Sequence, residues 1–286
     1  MSNYFEVIDE LEPQTIISKY IQNLHNKTNR NVIVYYSGWL NFPNTAFDLG
    51  IDDLDKNIFM SVIQRLDKNK GLDLILHTPG GYIGATESLI DYLHEVFNGD
   101  IRAIIPQIAM SGGTMVACSS KEIIMGKQSS LGPIDPQFGG IPAELIIKEF
   151  EMAKEDISKN PDTIPFWKNI ILRYPPAFIF LCQNARIWAD EILDKSLRYS
   201  MFDESDEEII NKIKSELGSH ENTKSHGRHL SARDCKKLGL KISYMEDDDE
   251  FQDMVLSIHH ACMYFFSINS GCSKLIANND SKFFVQ

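Results

Sequence analysis

The stretch LDLILHTPGG, Leu72 to Gly81, decides the fold class of this 286-residue chain. Its apolar run is typical of a buried strand, and the proline and two glycines end that strand in a tight turn. Apolar residues then repeat at helical spacing, at Ala85, Leu89, Leu93 and Val96. The stretch therefore predicts a strand, a glycine turn and a helix, which is the repeating unit of a parallel sheet.

The same unit recurs on both sides of this stretch. Upstream, the strand-like run NVIVYYSG precedes a helical pattern over 54–66. Downstream, IRAIIPQIA (101–109) leads into Ser111-Gly112-Gly113 and a short apolar helix, and EIIMG forms the next strand. Successive units of this kind predict right-handed crossovers on a mainly parallel sheet, with sites at the carboxyl ends of its strands.

After Pro142 the sequence pattern is mainly helical. Helices are predicted over 143–157 and 176–193, followed by a polar surface loop over 218–225 and a last helix of roughly 20 residues near 250–270. The apolar segment 174–189 is broken by polar residues and indicates a buried helix, not a membrane span.

Composition excludes several classes of function. A formal net charge of -12 with no basic stripe argues against binding to the phosphates of nucleic acids. No membrane span and no signal peptide are expected. Five scattered cysteines without a C-x-x-C pair favour reduced thiols and a cytoplasmic location.

Ser111 is the first candidate for a catalytic residue. It follows a buried strand and precedes two glycines, at the edge where Gly80 and Gly81 also end a strand. A serine nucleophile needs a base and donors that stabilise the oxyanion, and backbone N–H groups of glycines can approach a substrate closely. Both glycine pairs can also serve only as tight turns. Together with the serine they favour a nucleophile with an oxyanion hole drawn from Gly80, Gly81 and Gly112.

Four motifs, in this order and spacing, resemble the serine dehydrogenase proteinase family. They are LILHTPGG, AMSGGTMVA, SSLGPIDPQ and SHGRHLSARDCKKLGLKI. That family is related to signal peptide peptidase A and to the Clp protease proteolytic subunit. The resemblance implies an α/β Clp/crotonase-like fold, with a mainly parallel sheet of ββα units and a helical C-terminal part. We expect an N-terminal helical extension over 1–30 and a single domain over 31–286, whose oligomerisation-prone helical part covers about 143–286.

The resemblance also implies a catalytic triad of Ser111, Asp135 and His226, in that chain order. By its spacing from the serine, Asp135 falls where the Clp subunit carries its histidine. His226 can therefore serve as base only if its loop folds inward towards Ser111. Triads are defined by geometry and occur in several chain orders.

Other residues compete for the role of base. His77 lies three residues before Gly80 and is interpreted as a wall of the site or an alternative base. Signal peptide peptidases use a Ser-Lys dyad, for which Lys148 is the candidate, although its acidic neighbours favour a solvated helix face. His226 and His229 have the spacing of two metal ligands, but no third ligand is evident, so no metal site is expected.

The sequence therefore predicts a serine peptidase without a cofactor, acting on peptides or proteins as a homo-oligomer. Two alternatives stay open. One is an inactive Clp-like scaffold that serves assembly. The other is a crotonase-type acyl-thioester enzyme, against which stands the lack of a basic cluster for the phosphates of coenzyme A.

Overall fold

The computed structural model describes residues 12–42 and 49–285 and has a seven-stranded sheet at its centre. Residues 1–11 of the expected N-terminal extension lie outside this range. The strands in chain order are β1 (Asn31–Ser37), β2 (Leu72–His77), β3 (Ile101–Ile105), β4 (Ile108–Ala109), β5 (Glu122–Met125), β6 (Ser130–Leu131), β7 (Gln137–Phe138), β8 (Ile141–Pro142), β9 (Leu230–Ser231), β10 (Ile242–Tyr244), β11 (Lys274–Asn278) and β12 (Phe283–Val285).

The central sheet has the order β10-β5-β3-β2-β1-β11-β12. Its first five strands are parallel, while β11 pairs antiparallel with β1 and β12 antiparallel with β11. The mainly parallel α/β fold expected from the sequence is thereby confirmed.

A second sheet of three short strands, β4, β6 and β9, lies beyond the carboxyl end of β3. The sequence predicted one strand over 101–109, and this prediction is wrong in detail. The chain breaks at Pro106, which has no N–H to donate to a sheet. It then re-forms as β4, so that β3, β4 and the helix that follows make one ββα unit.

Helices cover both faces of the central sheet. They are α1 (Pro13–Thr28), α2 (Asp53–Ile63), α3 (Ile83–Phe97), α4 (Gly112–Cys118), α5 (Ala143–Lys159), α6 (Ile164–Ile171), α7 (Phe178–Ser200), α8 (Glu207–Gly218), α9 (His220–Thr223), α10 (Ala232–Leu238) and α11 (Asp249–Ile268). Alternate side chains of each strand point to opposite faces, which makes two separate hydrophobic cores. The larger one packs α2, α3, α4, α7, α8 and α10 against one face, and α1 and α11 cover the other.

A third, small hydrophobic cluster joins α5 to the start of α7. The sequence predicted a buried helix over 174–189, and this is wrong for the first half of α7. Phe180, Leu181 and Ile187 are 64%, 53% and 56% exposed, because the buried residues of α7 lie mostly in its second half. Within the described ranges, no helix is both long enough and apolar enough to span a membrane.

Candidate active site

The second sheet brings together the three chain segments that carry the predicted triad. Ser111 follows β4 by two residues, Asp135 follows β6 by four, and His226 precedes β9 by four. Because β6 pairs with both β4 and β9, these segments leave the sheet side by side. Residues that are far apart in sequence therefore meet at one edge.

Ser111 occupies a strained turn between β4 and α4. Its backbone has φ 50° and ψ -116°, a conformation that L-residues other than glycine rarely adopt. Strained residues of this kind cluster at functional sites, where the conformation is held by the surrounding structure. Gly80 packs directly against the turn, since a Cβ at that position would lie 2.6 Å from Ser111 Cβ. The strained turn is typical of a serine presented to a substrate.

The strain predicts different stabilities for two substitutions at Ser111. Alanine keeps the cost of a positive φ, whereas glycine removes it. We expect Ser111→Gly to be more stable to urea unfolding than Ser111→Ala by about 1 kcal/mol. In a relaxed helical position glycine would instead be the less stable of the two, by roughly 0.5–1 kcal/mol. That reversed order would show that the turn carries no strain.

Two backbone N–H groups face the space beside Ser111. Neither Gly81 N–H nor Gly112 N–H donates a hydrogen bond to any residue in the described part of the chain. They border the same space, because a Cβ built on Gly112 would lie 3.4 Å from Gly81 N. Unpaired N–H groups that converge next to a serine have the arrangement of an oxyanion hole.

Gly80 does not share this arrangement. Its N–H donates to Thr78 Oγ1 at 3.2 Å, and its carbonyl accepts from Ile51 N–H at 2.6 Å. With φ 102°, Gly80 shapes the turn that presents Gly81. The sequence predicted both Gly80 and Gly81 for the oxyanion hole. Of these two, Gly81 alone has an N–H that makes no hydrogen bond among the described residues.

A buried ion cluster lies next to the turn formed by Gly80 and Gly81. Ile51 forms a bridge with Gly81, and the next residue, Asp52, caps α2. Lys274 of β11 is fully buried and contacts the carboxylates of Asp52 at 2.7 Å and Asp55 at 3.0 Å. Buried charges need partners of this kind, so strand β11 and the start of α2 are held together next to the glycine turn.

Asp135 and His226 form a close pair. Asp135 is 1% exposed, and its Oδ1 lies 2.8 Å from His226 Nδ1. Gln137 Nε2 donates to Asp135 Oδ2 at 2.8 Å and fixes the carboxylate. Because a carboxylate accepts hydrogen bonds, His226 Nδ1 carries the hydrogen and Nε2 is left to take a proton. The loop of His226 lies against Asp135. The expectation that this loop also folds inward towards Ser111 stays a prediction.

His220 is a second histidine on the same aspartate, and sequence reasoning missed it. Its Nδ1 lies 3.2 Å from Asp135 Oδ2, and its backbone N–H donates to Glu144 Oε2 at 2.7 Å. The polar stretch 218–225 was predicted as a flexible surface loop, and this is wrong for His220–Thr223. These residues form α9, with Thr223 buried and the side chain of His220 only 15% exposed. The one signal in the sequence was a second histidine six residues before His226.

The Ser111 hydroxyl makes no hydrogen bond within the described residues, so the structure holds the Asp135–His226 pair and the serine turn as two separate units. Catalytic hydrogen bonds are often long in structures without substrate and tighten when it binds. A cavity of about 610 Å³ lies next to Asp135, lined by Ile134, Pro136, Glu144, Arg186 and Lys214 among others.

His77 and Lys148 lie in surroundings that do not suit a base. His77 is fully buried, stacks on Tyr36 with ring centroids 5.0 Å apart, and contacts Gln107 Oε1 at 3.3 Å. Burial lowers the pKa of His77 to about 4, which makes the ring a weak proton acceptor near neutral pH.

Lys148 is on the solvated face of α5. Its ammonium contacts Glu144 and Glu221, both at 2.8 Å, and these hydrogen bonds raise its pKa. A lysine base needs a lowered pKa instead. His229, the other half of the H-x-x-H pair, contacts Ser130 Oγ at 2.8 Å.

Comparison with known proteins agrees with this architecture. Residues 11–169 match the family described as ClpP-like SDH-type serine proteinase, a range that holds Ser111 and Asp135 and ends before His226. An uncharacterized protein of Methanocaldococcus jannaschii is 36% identical over 143 residues, 48% of this chain and 49% of the relative. A second one is 30% identical over 189 residues, 66% of this chain and 58% of the relative.

The chain spans about half the length of the curated relatives it matches. The family match covers more than half of the chain, and the sheet arrangement is that of a Clp/crotonase-like fold. The resemblance inferred from the four motifs is thus confirmed. The chain belongs to the ClpP-like SDH-type serine proteinase family.

Proposed function

We propose that this protein is a serine peptidase with Ser111 as nucleophile, His226 as base and Asp135 as the group that orients His226. The observation that carries the proposal is the strained Ser111 turn next to two unpaired glycine N–H groups. The Asp135–His226 hydrogen bond supports it, because that bond fixes the tautomer a base needs. A scaffold gains nothing from holding a serine in a costly conformation.

In the proposed reaction, Ser111 Oγ attacks the carbonyl carbon of a peptide bond while its proton passes to His226 Nε2. The electrons of the C=O bond move onto oxygen, where the N–H groups of Gly81 and Gly112 stabilise the charge. The C–N bond then breaks, and the leaving amine takes the proton from His226. Water attacks the acyl-serine in the same way and releases a carboxylic acid with the serine restored. Asp135 stays ionised and holds the charge that forms on His226.

Self-association belongs to the same proposal. The exposed apolar side chains are concentrated on α5, α6 and the first half of α7, where Leu145, Phe166 and Phe180 are among them. Contiguous exposed apolar surface is typical of an interface between proteins. We therefore place the contacts of a homo-oligomer on these helices. The five unpaired cysteines fit a reducing compartment such as the cytoplasm.

A fluorophosphonate probe tests the peptidase proposal. The probe reacts only with an activated serine, because a free hydroxyl is a weak nucleophile near neutral pH. We expect the folded protein to be labelled on the peptide that contains Ser111, identified by mass spectrometry, and the heat-denatured protein to stay unlabelled. A folded sample that is not labelled would favour the scaffold, since the oxyanion hole alone gives no reactive serine.

His220 is expected to tune this site without being its base. Replacing His220 by alanine frees Asp135 Oδ2 from one of its partners, and we expect the labelling rate to fall about tenfold, the low end of the range for one supporting group. His220→Asn keeps an N–H near the position of Nδ1 and should recover most of the rate. Exposed His260→Ala serves as the control. If His220→Ala abolished labelling while His226→Ala did not, the roles of the two histidines would be exchanged.

A further inference from the structure

Among residues 12–42 and 49–285, the buried hydroxyl of Thr86 has no hydrogen-bond partner. It lies in the first turn of α3, directly after the glycine turn, and the residue is fully buried. Its Oγ1 forms no hydrogen bond within the described part of the protein. Buried hydroxyls are nearly always paired, because losing water without gaining a partner is costly. An unpaired one in a native structure needs an explanation.

The position of the Thr86 hydroxyl supplies an explanation. A Cβ built on Gly112 would lie 2.6 Å from Thr86 Oγ1 and 3.4 Å from Gly81 N, so all three groups border one small space. The other two groups there are the N–H donors of the proposed oxyanion hole. Glycine at position 112 leaves the threonine hydroxyl in place, because a Cβ there would lie 2.6 Å from Thr86 Oγ1 and force it to move. The fold thus reserves room for the hydroxyl beside the two N–H groups.

We propose that Thr86 is a third donor of the oxyanion hole. This inference rests on the proposed peptidase function and adds a catalytic residue to it. When the carbonyl oxygen gains negative charge, the Thr86 O–H rotates and donates to it alongside Gly81 N–H and Gly112 N–H. The neutral carbonyl of the substrate attracts the same donor less strongly, so the contact favours the transition state. The missing partner of the free hydroxyl is then the oxyanion itself.

The test compares Thr86→Val with Thr86→Ser by the second-order rate of labelling with a fluorophosphonate. Valine keeps the shape of threonine and removes the hydroxyl. The phosphoryl oxygen of the probe occupies the oxyanion hole during the reaction. We expect Thr86→Val to be labelled on the order of 100-fold more slowly. Thr86→Ser keeps the donor and should restore most of the rate. A Thr86→Val variant labelled as fast as the wild type would overturn the inference.

A stability readout separates this role from a structural one. Thr114 is the matched control, because its buried hydroxyl bonds Ala109 O, Gly132 O and Gly132 N. We expect Thr114→Val to lower the Tm and Thr86→Val to leave it unchanged or higher, since only the first loses partners. A lowered Tm in Thr86→Val would mean that the hydroxyl supports the fold.

The two proposals fail in different ways. If the wild-type protein is not labelled at all, the peptidase function is wrong, and Thr86 has no oxyanion to serve. If the wild type is labelled and Thr86→Val is labelled equally well, only the inference about Thr86 is wrong.

Discussion

Replacing Ser111 by alanine is expected to abolish fluorophosphonate labelling and peptide hydrolysis while the fold is kept. In a serine peptidase, loss of the nucleophile lowers kcat on the order of 10⁶-fold and leaves only the contribution of the oxyanion hole and substrate binding. The side chain of Ser111 makes no hydrogen bond within the described chain, so its removal leaves no polar group without a partner. Alanine also keeps the backbone strain already present. Labelling intensity and release of new amino groups from casein measure the two losses.

The control for Ser111→Ala is Ser267→Ala. Ser267 is exposed on α11, and among the described residues its hydroxyl donates only to the carbonyl of Tyr264 in its own helix. Its removal should change neither readout. Hydrolysis that persisted in Ser111→Ala at the wild-type rate would place the activity elsewhere in the molecule or in a contaminant.

Replacing Asp135 by asparagine is expected to lower the labelling rate on the order of 10⁴-fold, as for other triads that lose their carboxylate. An asparagine can present its amide N–H to His226 Nδ1, which then accepts a hydrogen bond and moves the ring hydrogen to Nε2. The base is then blocked on the side that has to take the proton. His220 loses the same acceptor, so neither histidine can replace the other. A stopped-flow measurement of labelling follows the change.

Asp280→Asn makes the matched control for Asp135→Asn. Asp280 is exposed and lies after β11, away from the second sheet. The same change of charge there should leave the rate as it is. A loss of less than tenfold in Asp135→Asn would argue that Asp135 has a structural role and that Ser111 is activated in another way.

Four strands of the central sheet, β1, β2, β3 and β5, could be predicted from the sequence because each is signalled locally, whereas β10, β11 and β12 were not predicted. NVIVYYSG and LDLILH are apolar runs that end at glycine, and the crossover rule then sets the order of neighbours. The break at Pro106 was not predicted, because the apolar run on both sides of the proline has the pattern of one strand, although proline removes a donor that a continuous strand needs.

The exposed half of α7 was misjudged for a physical reason. Hydrophobic spacing shows which residues avoid water, and it does not show whether the same chain covers them. The apolar residues of 174–189 were assigned to a core of this chain. Their exposure shows that the described part of the chain does not cover them.

The site was only partly predictable, because its contacts join distant segments. Ser111 and Gly81 stand out by the turns they form. The pairing of Lys274 with Asp55 and of His220 with Asp135 joins residues that are 219 and 85 positions apart, and no local pattern indicates it. Nothing in the sequence distinguishes Thr86, because single threonines are common in helices. Only its buried hydroxyl, unpaired among the described residues, sets it apart.

The support that Lys274 gives to the glycine turn affects the order in which parts of the structure form during synthesis. A ribosome completes the N-terminal segments first. A chain synthesised only as far as β10 already contains Ser111, Asp135 and His226, yet the carboxylates of Asp52 and Asp55 still lack their buried counter-charge. The turn that presents Gly81 therefore gains its support only when β11 has emerged. During synthesis the glycine turn beside Ser111 therefore lacks this ion cluster until a segment well downstream of Ser111, Asp135 and His226 has been made.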